Sequence, residues 1–198
     1  MRKEYLLTPG PTPLPPQVSL AMAKPIIHHR TPQFQAILKE ASLGLKWAFQ
    51  TVNDVFIISS SGTGAMEAAV INLLSCGDTA LMVHGGKFGE RWTEIAKAYG
   101  INVEVIDVEW GKAVSPQEIS KRLKSNPQIK AVFTTLCETS TGVDNDIQAI
   151  AAVVKESSVV LVVDAISGLG AVDLRTDAWG VDVVVAGSQK GLMLPPGL

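Results

Sequence analysis

Lys190 stands in Ser188-Gln189-Lys190-Gly191, just past the apolar run Val181–Ala186, and Asp164 follows the apolar run Val159–Val163. Short β-branched runs of this kind read as buried strands, so both residues sit at strand tips. A primary amine in such a place can hold an aldehyde as a Schiff base, and a carboxylate can keep a pyridine nitrogen protonated. That pair of residue types is what pyridoxal phosphate chemistry needs, because the protonated ring draws electrons from a substrate Cα. The everyday alternatives are a surface lysine and a turn or N-cap aspartate, and Ser167-Gly168 keeps the second open. Gly187 before Lys190 and Leu192-Met193-Leu194-Pro195-Pro196-Gly197 after it argue for a shaped, buried loop. Burial favours the neutral, nucleophilic form of an amine.

Three other loops carry polar residues of the right type. Ser59-Ser60-Ser61-Gly62-Thr63-Gly64 follows the run Val55–Ile58 and opens a helix near Ala65. N–H groups at a helix N-terminus bind phosphate, and glycine permits close approach. An ordinary glycine-rich turn would look the same, and neither a Walker motif nor a dinucleotide fingerprint is present. Gly85-Gly86-Lys87-Phe88-Gly89-Glu90-Arg91-Trp92 follows Ala80–Val83 and offers an aromatic platform for a flat ring, unless Phe88 packs in the core. Cys137-Glu138-Thr139-Ser140-Thr141-Gly142 follows Ala131–Thr134. A hydroxyl there could reach the phenolic oxygen of the cofactor, or simply belong to a capped turn.

The elements that must position these loops alternate. Strands are expected at Val55–Ile58, Ala80–Val83, Val103–Val108, Ala131–Thr134, Val159–Val163 and Val181–Ala186, with helices at Ala65–Leu74, Glu90–Tyr99, Pro116–Leu123 and Ile147–Glu156. Thr31-Pro32 and Ser115-Pro116 read as helix starts. The helix after Pro32 places Phe34, Ile37, Leu38, Ala41 and Leu45 on one face. The prolines at 9, 11, 13, 15 and 16 predict an extended, non-helical arm over residues 1–25. Strand–helix alternation predicts an α/β fold, a three-layer αβα sandwich with a mainly parallel sheet over residues 26–198. Ligands bind outside the carboxyl ends of such strands, and every polar cluster above follows a strand.

The composition agrees with a packed α/β chain. Of 198 residues, 46% are apolar and 18% charged, which excludes a disordered chain. A net charge of −2 gives no basic footprint for nucleic acid. No apolar run is long enough to cross a membrane, and the N-terminus lacks a signal peptide's apolar stretch. Two cysteines, Cys76 and Cys137, support neither a disulfide scaffold nor a zinc site. The three histidines form no metal pattern. A reduced, cytoplasmic setting follows.

Taken together, six stretches resemble the class V aminotransferases of pyridoxal phosphate fold type I, in the alanine–glyoxylate / serine–pyruvate branch. They are Leu7-Thr8-Pro9-Gly10-Pro11-Thr12, Ser59 through Glu67, Lys87 through Trp92, Glu138 through Gly142, Val163-Asp164-Ala165 and Gly187-Ser188-Gln189-Lys190, in the family's order. The resemblance implies roles. Lys190 would form the Schiff base and move the proton between Cα and C4′, and Asp164 would pair with the pyridinium nitrogen. Phe88 would stack on one ring face, where many relatives carry Trp or Tyr, and Ile166 on the other. Thr139 would bond the phenolic oxygen, and Ser61, Gly62, Thr63 and Gln189 would hold the phosphate. The reaction would move an amino group from a small amino acid (alanine or serine) to a small 2-oxo acid (glyoxylate or pyruvate).

Family members continue beyond the lysine into an antiparallel strand and a small domain that carries a substrate-gripping arginine. By analogy that strand would lie between Val181–Ala186 and Val55–Ile58. The resemblance therefore predicts a large domain incomplete at its C-terminus, a fragment or truncated product with little turnover alone, and a homodimer in the full-length form. A non-catalytic scaffold homologue is a further reading. Another is a fold type I enzyme such as a cysteine desulfurase, although Gln189 stands where desulfurases usually carry histidine. A nicotinamide-binding oxidoreductase is disfavoured by the missing glycine fingerprint.

Overall fold

Apolar residues along the strands are buried alternately on two sides, and this period of two sets the architecture. In β1, Ala80 and Met82 pack into one core cluster, while Leu81 and Val83 pack into another. The computed structural model describes residues 6–198, so the first five residues of the expected arm lie outside the described residues.

The chain runs α1 (Pro16–Met22), α2 (Pro32–Phe49), α3 (Gly62–Leu73), β1 (Thr79–His84), α4 (Lys87–Ala98), β2 (Asn102–Asp107), α5 (Pro116–Ser125) and β3 (Ile129–Thr135). It continues through β4 (Cys137–Glu138), β5 (Val143–Asp144), α6 (Ile147–Val154), β6 (Val160–Asp164), α7 (Thr176–Trp179) and β7 (Val183–Val185). Five strands form one sheet in the order β2-β1-β3-β6-β7, every neighbouring pair parallel. β4 and β5 form a small antiparallel ribbon.

Helices cover both faces of the sheet. On one, Met66, Ala69 and Val70 of α3 and Trp92 and Ala96 of α4 meet Ala80, Met82, Phe133 and Val162. Trp92 and Phe133 contribute a tilted ring pair 4.9 Å apart. Such pairs add about 0.5–1.5 kcal/mol to the burial of their area. On the other face, Ile119 of α5 and Ile147, Ile150 and Val154 of α6 meet Leu81, Val132, Leu161 and Val163. The three-layer α/β fold is therefore present. Parallel strands put His84, Asp107, Thr135, Asp164 and Val185 at the same sheet edge.

Four expectations require correction. Val55–Ile58 is not a strand: it finds no ladder partner among the described residues, and Phe56 is 82% exposed. Strand propensity without a neighbour does not make a strand. The arm is not free of helix, since α1 starts at Pro16. Proline at the first helical position surrenders only an N–H that would be unpaired anyway, and residues 17–22 contain none. In α2, Thr31 caps the helix by accepting from Phe34 N–H at 3.3 Å, as expected. Yet Ile37 and Leu38 of its predicted apolar face are exposed, and Phe49 is its one buried residue. The helix meets the core at its C-terminal end alone, where Thr176 Oγ1 donates to the Phe49 carbonyl at 2.6 Å. Finally, the loop after Lys190 is shaped but not buried, and Met193 and Leu198 are exposed. Its shape comes from Ser188, whose hydroxyl donates to Pro195 O at 2.6 Å and accepts from Leu198 N–H at 3.3 Å.

Candidate active site

Asp164 ends β6 among apolar neighbours and is 4% exposed. Its Oδ1 accepts from Ile166 N–H at 2.8 Å. Burial pushes its carboxyl up to about 7, Glu138 adds to the rise, and the Ile166 N–H, Arg91 and Lys190 oppose it. Among the described residues no ion pair reaches it. The carboxylate is thus buried, short of hydrogen-bond donors and open to a cationic partner.

Lys190 follows β7, the neighbour of β6, on a half-buried turn. The N-terminal arm lies across that turn. Lys190 Nζ donates to the Pro9 carbonyl at 3.3 Å. Thr12 N–H donates to Gln189 O at 3.0 Å, and Thr12 Oγ1 donates to Lys190 O at 3.0 Å. Gly10 is the close approach: its φ is +144°, and a Cβ built there would come within 2.7 Å of Lys190 Nζ. The amine is therefore held by the arm and makes no direct contact with Asp164.

The Ser61 loop caps α3, with Ser61 Oγ accepting from Gly64 N–H at 3.4 Å. The N–H groups of Gly62 and Thr63 head the helix, where intrahelical acceptors run out. Gly62 leaves room for Ile166, whose Cδ1 a Cβ would meet at 2.5 Å. Beside this loop lies an open cleft of about 480 Å³ lined by Ser59, Ser60, Ser61, Gln189, Pro196 and Gly197. Gln189 Oε1 is buried without a partner.

Phe88 sits in the first turn of α4, half-buried and outside the core clusters. The Arg91 guanidinium lies 4.9 Å from its ring centre and donates from Nη1 to Thr63 Oγ1 at 3.2 Å. Arg91 thereby joins the ring platform to the glycine-rich loop. Sequence reasoning missed it, although its place three residues after Phe88 on a helix was a signal. Thr139 Oγ1 donates to Ser167 Oγ at 2.8 Å, and Ser167 Oγ donates to the Cys137 carbonyl at 3.1 Å. The Cys137 thiol is pushed up to about 11, mainly by burial, with Asp144 adding to the rise. It is protonated at neutral pH, unlike a nucleophilic thiolate.

The structure therefore sets Asp164, Ile166, Lys190, Gln189, Ser61, Gly62 and Thr63 about the carboxyl ends of β6 and β7, with Phe88 after β1 on the same sheet edge, joined to Thr63 through Arg91, and Thr139 turned toward Ser167. Among the described residues, no group of three or more His, Cys, Asp or Glu could hold a metal ion, and no helix is long and apolar enough to cross a membrane.

Known proteins share this arrangement of elements. The chain is 50% identical to a soluble hydrogenase 42 kDa subunit of Anabaena cylindrica, over 99% of this chain and 52% of that one. It is 42% identical to a serine–glyoxylate aminotransferase of Hyphomicrobium methylovorum, over 98% of this chain and 49% of that one. The crystal structure of an alanine–glyoxylate aminotransferase from Nostoc sp. superposes with a TM-score of 0.93 at 34% identity, covering 100% of this chain and 52% of that chain. The chain thus spans about half the length of these relatives. The family model described as aminotransferase class-V matches residues 4–198, and the chain belongs to that family.

Proposed function

We propose that this chain is the cofactor-binding part of a pyridoxal phosphate-dependent aminotransferase that moves an amino group from a small amino acid, alanine or serine, to a small 2-oxo acid, glyoxylate or pyruvate. The observation that carries the reading is the buried Asp164 carboxylate, pushed up to about 7, at the tip of the strand beside the one that leads to Lys190. The similarity to a serine–glyoxylate aminotransferase and to an alanine–glyoxylate aminotransferase supports the substrate class.

The residues fit the cofactor on their own chemistry. A cationic ring nitrogen would supply the partner that Asp164 lacks. The N–H groups of Gly62 and Thr63, the Ser61 hydroxyl and the Gln189 amide form a donor set for a phosphate. Phe88 would face one side of the ring and Ile166 the other, and Thr139 would donate to the phenolic oxygen. When bound, pyridoxal phosphate supplies an aldehyde for an amine and a ring that withdraws electrons from the substrate Cα.

The chain's own work would then be division of charge and movement of one proton. Asp164, buried and ionised against the ring nitrogen, would hold a proton on that nitrogen. Lys190 Nζ, once released from Pro9 O, would take a proton from the substrate Cα and deliver it to C4′, two bonds away. Arg91 would keep the Thr63 loop and the Phe88 ring in register. Residues 26–198 would form the cofactor domain and residues 1–25 the N-terminal arm, whose Pro9, Gly10 and Thr12 meet the lysine turn. We place the whole protein in the cytoplasm as a homodimer.

The test is to add pyridoxal phosphate to the intact protein, record its visible spectrum, and screen small amino acids for loss of the band. A visible band bleached by alanine or serine is expected. A colourless protein, or a band that no amino acid changes, would overturn the reading and favour a non-catalytic homologue.

A further inference from the structure

Glu138 is a fully buried carboxylate, 1% exposed, that the reaction outlined above does not use. It lies on β4, and its partners are Phe88 and Gly89 of α4 and Ser140 two residues on. Its Oε2 accepts from Gly89 N–H at 2.9 Å. Its Oε1 accepts from Phe88 N–H at 3.3 Å, Ser140 N–H at 3.1 Å and Ser140 Oγ at 2.7 Å. Ser140 Oγ in turn accepts from Lys87 N–H at 3.1 Å.

We propose that Glu138 is a positioning residue: it caps the N-terminus of α4 from outside the helix and so sets where Phe88 and Arg91 stand. The proposal rests on reading Phe88 and Thr63 as cofactor contacts.

α4 lacks a cap of its own, because its N-cap is Gly86, which has no side chain to accept from the first turn. Helix starts leave N–H groups unpaired, and a buried start needs a partner from elsewhere. Here Glu138 and Ser140 between them take the N–H groups of Lys87, Phe88 and Gly89. Glycine at 86 is what lets them in: a Cβ there would meet Glu138 Cδ at 2.7 Å and crowd Ser140 Oγ. A carboxylate accepts without donating, so it suits a cluster made only of donors. Its negative charge also complements the positive end of the helix.

The consequence for the site is geometric. Phe88 is one of the two α4 residues whose backbone N–H groups Glu138 holds, and Arg91 is one turn further along. Arg91 carries the contact to Thr63 at 3.2 Å. One carboxylate therefore holds the ring platform and, through Arg91, the loop at the head of α3. The charge of Glu138 also acts on Asp164, raising its carboxyl.

The test is Glu138→Gln in the intact protein, with Ser140→Ala as a milder variant should the first fail to fold. Gln must turn its NH2 toward one of the four donors, so the cap is broken with little change in volume. Three readouts are needed: amide hydrogen exchange at Phe88 and Gly89, the dissociation constant for pyridoxal phosphate, and the induced circular dichroism of the bound ring. Expected are a roughly tenfold loss of protection at Phe88 and Gly89, with the sheet amides unchanged, and a roughly tenfold weaker cofactor affinity. The ring dichroism should change shape, which a general loss of stability would not produce. Ser140→Ala should move all three the same way by less. Unchanged protection at Phe88 and Gly89 would overturn the capping role. Lost protection with unchanged affinity and dichroism would overturn the positioning role. Should the wild type bind no pyridoxal phosphate, the functional reading fails, and the exchange data alone decide whether Glu138 caps α4.

Discussion

Asp164→Asn should flatten the pH dependence of stability in the cofactor-free protein. Burial is the main reason the carboxyl is pushed up, from 3.8 to about 7. Between these values the folded chain holds a proton that the unfolded chain has released. Stability from this group is therefore complete below about pH 4, falls as pH rises, and is fully lost above about 7. The whole shift amounts to about 4 kcal/mol at about 1.4 kcal/mol per unit. Linkage over the window from pH 5 to pH 8 gives about 2.5 kcal/mol. Asparagine can still accept from Ile166 N–H but adds an NH2 without a buried acceptor, a cost of about 1–3 kcal/mol at every pH. Absolute stabilities therefore matter less than the slope. Denaturant unfolding of both proteins at pH 5 and pH 8 should show wild type losing about 2.5 kcal/mol more than the variant over that range. Parallel pH profiles for the two proteins would refute the claim that Asp164 is buried without a counter-charge. Adding pyridoxal phosphate to the wild type should restore stability at pH 8, since a ring cation supplies that charge.

Other expectations follow from single contacts. Gly10→Ala forces a side chain onto Lys190 and an L-residue into φ +144°; reductive labelling of Lys190 by an aldehyde should slow by roughly tenfold or more, at a local strain of about 1–3 kcal/mol. Gly89→Ala crowds the Val83 carbonyl, which is backbone and cannot move aside; thermal unfolding should register a loss of about 1–3 kcal/mol. Phe88→Ala removes the proposed ring platform and the Arg91 contact at 4.9 Å; a cofactor titration should show affinity falling by roughly tenfold. Ser61→Ala removes the α3 cap, and calorimetry should find a loss of about 1 kcal/mol.

The parallel sheet was legible because its central strands β1, β3 and β6 are buried on both faces and alternate with helices. Val159–Val163 and Ala131–Thr134 could hardly be anything else. Val55–Ile58 has the same composition, yet its conformation depends on a neighbour, and no stretch of sequence reveals its own neighbour. α1 was hidden by the prolines before it, which say where a helix cannot run but not that one begins at the last of them. The exposed face of α2 shows the same limit: periodicity marks an apolar stripe without saying what covers it. At the site, Lys190 and Asp164 were legible because a polar group at a strand tip stands out. Glu138 was not, although it precedes Thr139 in the same motif. Its role depends on Gly86, 52 residues earlier, having no side chain, and local patterns carry no trace of that contact.

The central claim is that Lys190 is the residue that takes the cofactor. Borohydride reduction of the intact protein with pyridoxal phosphate, followed by peptide mapping, tests it directly. One reduced pyridoxyl group per chain is expected, on Lys190, and it should be lost in Lys190→Ala. Label on another lysine, or none in the wild type, would contradict it.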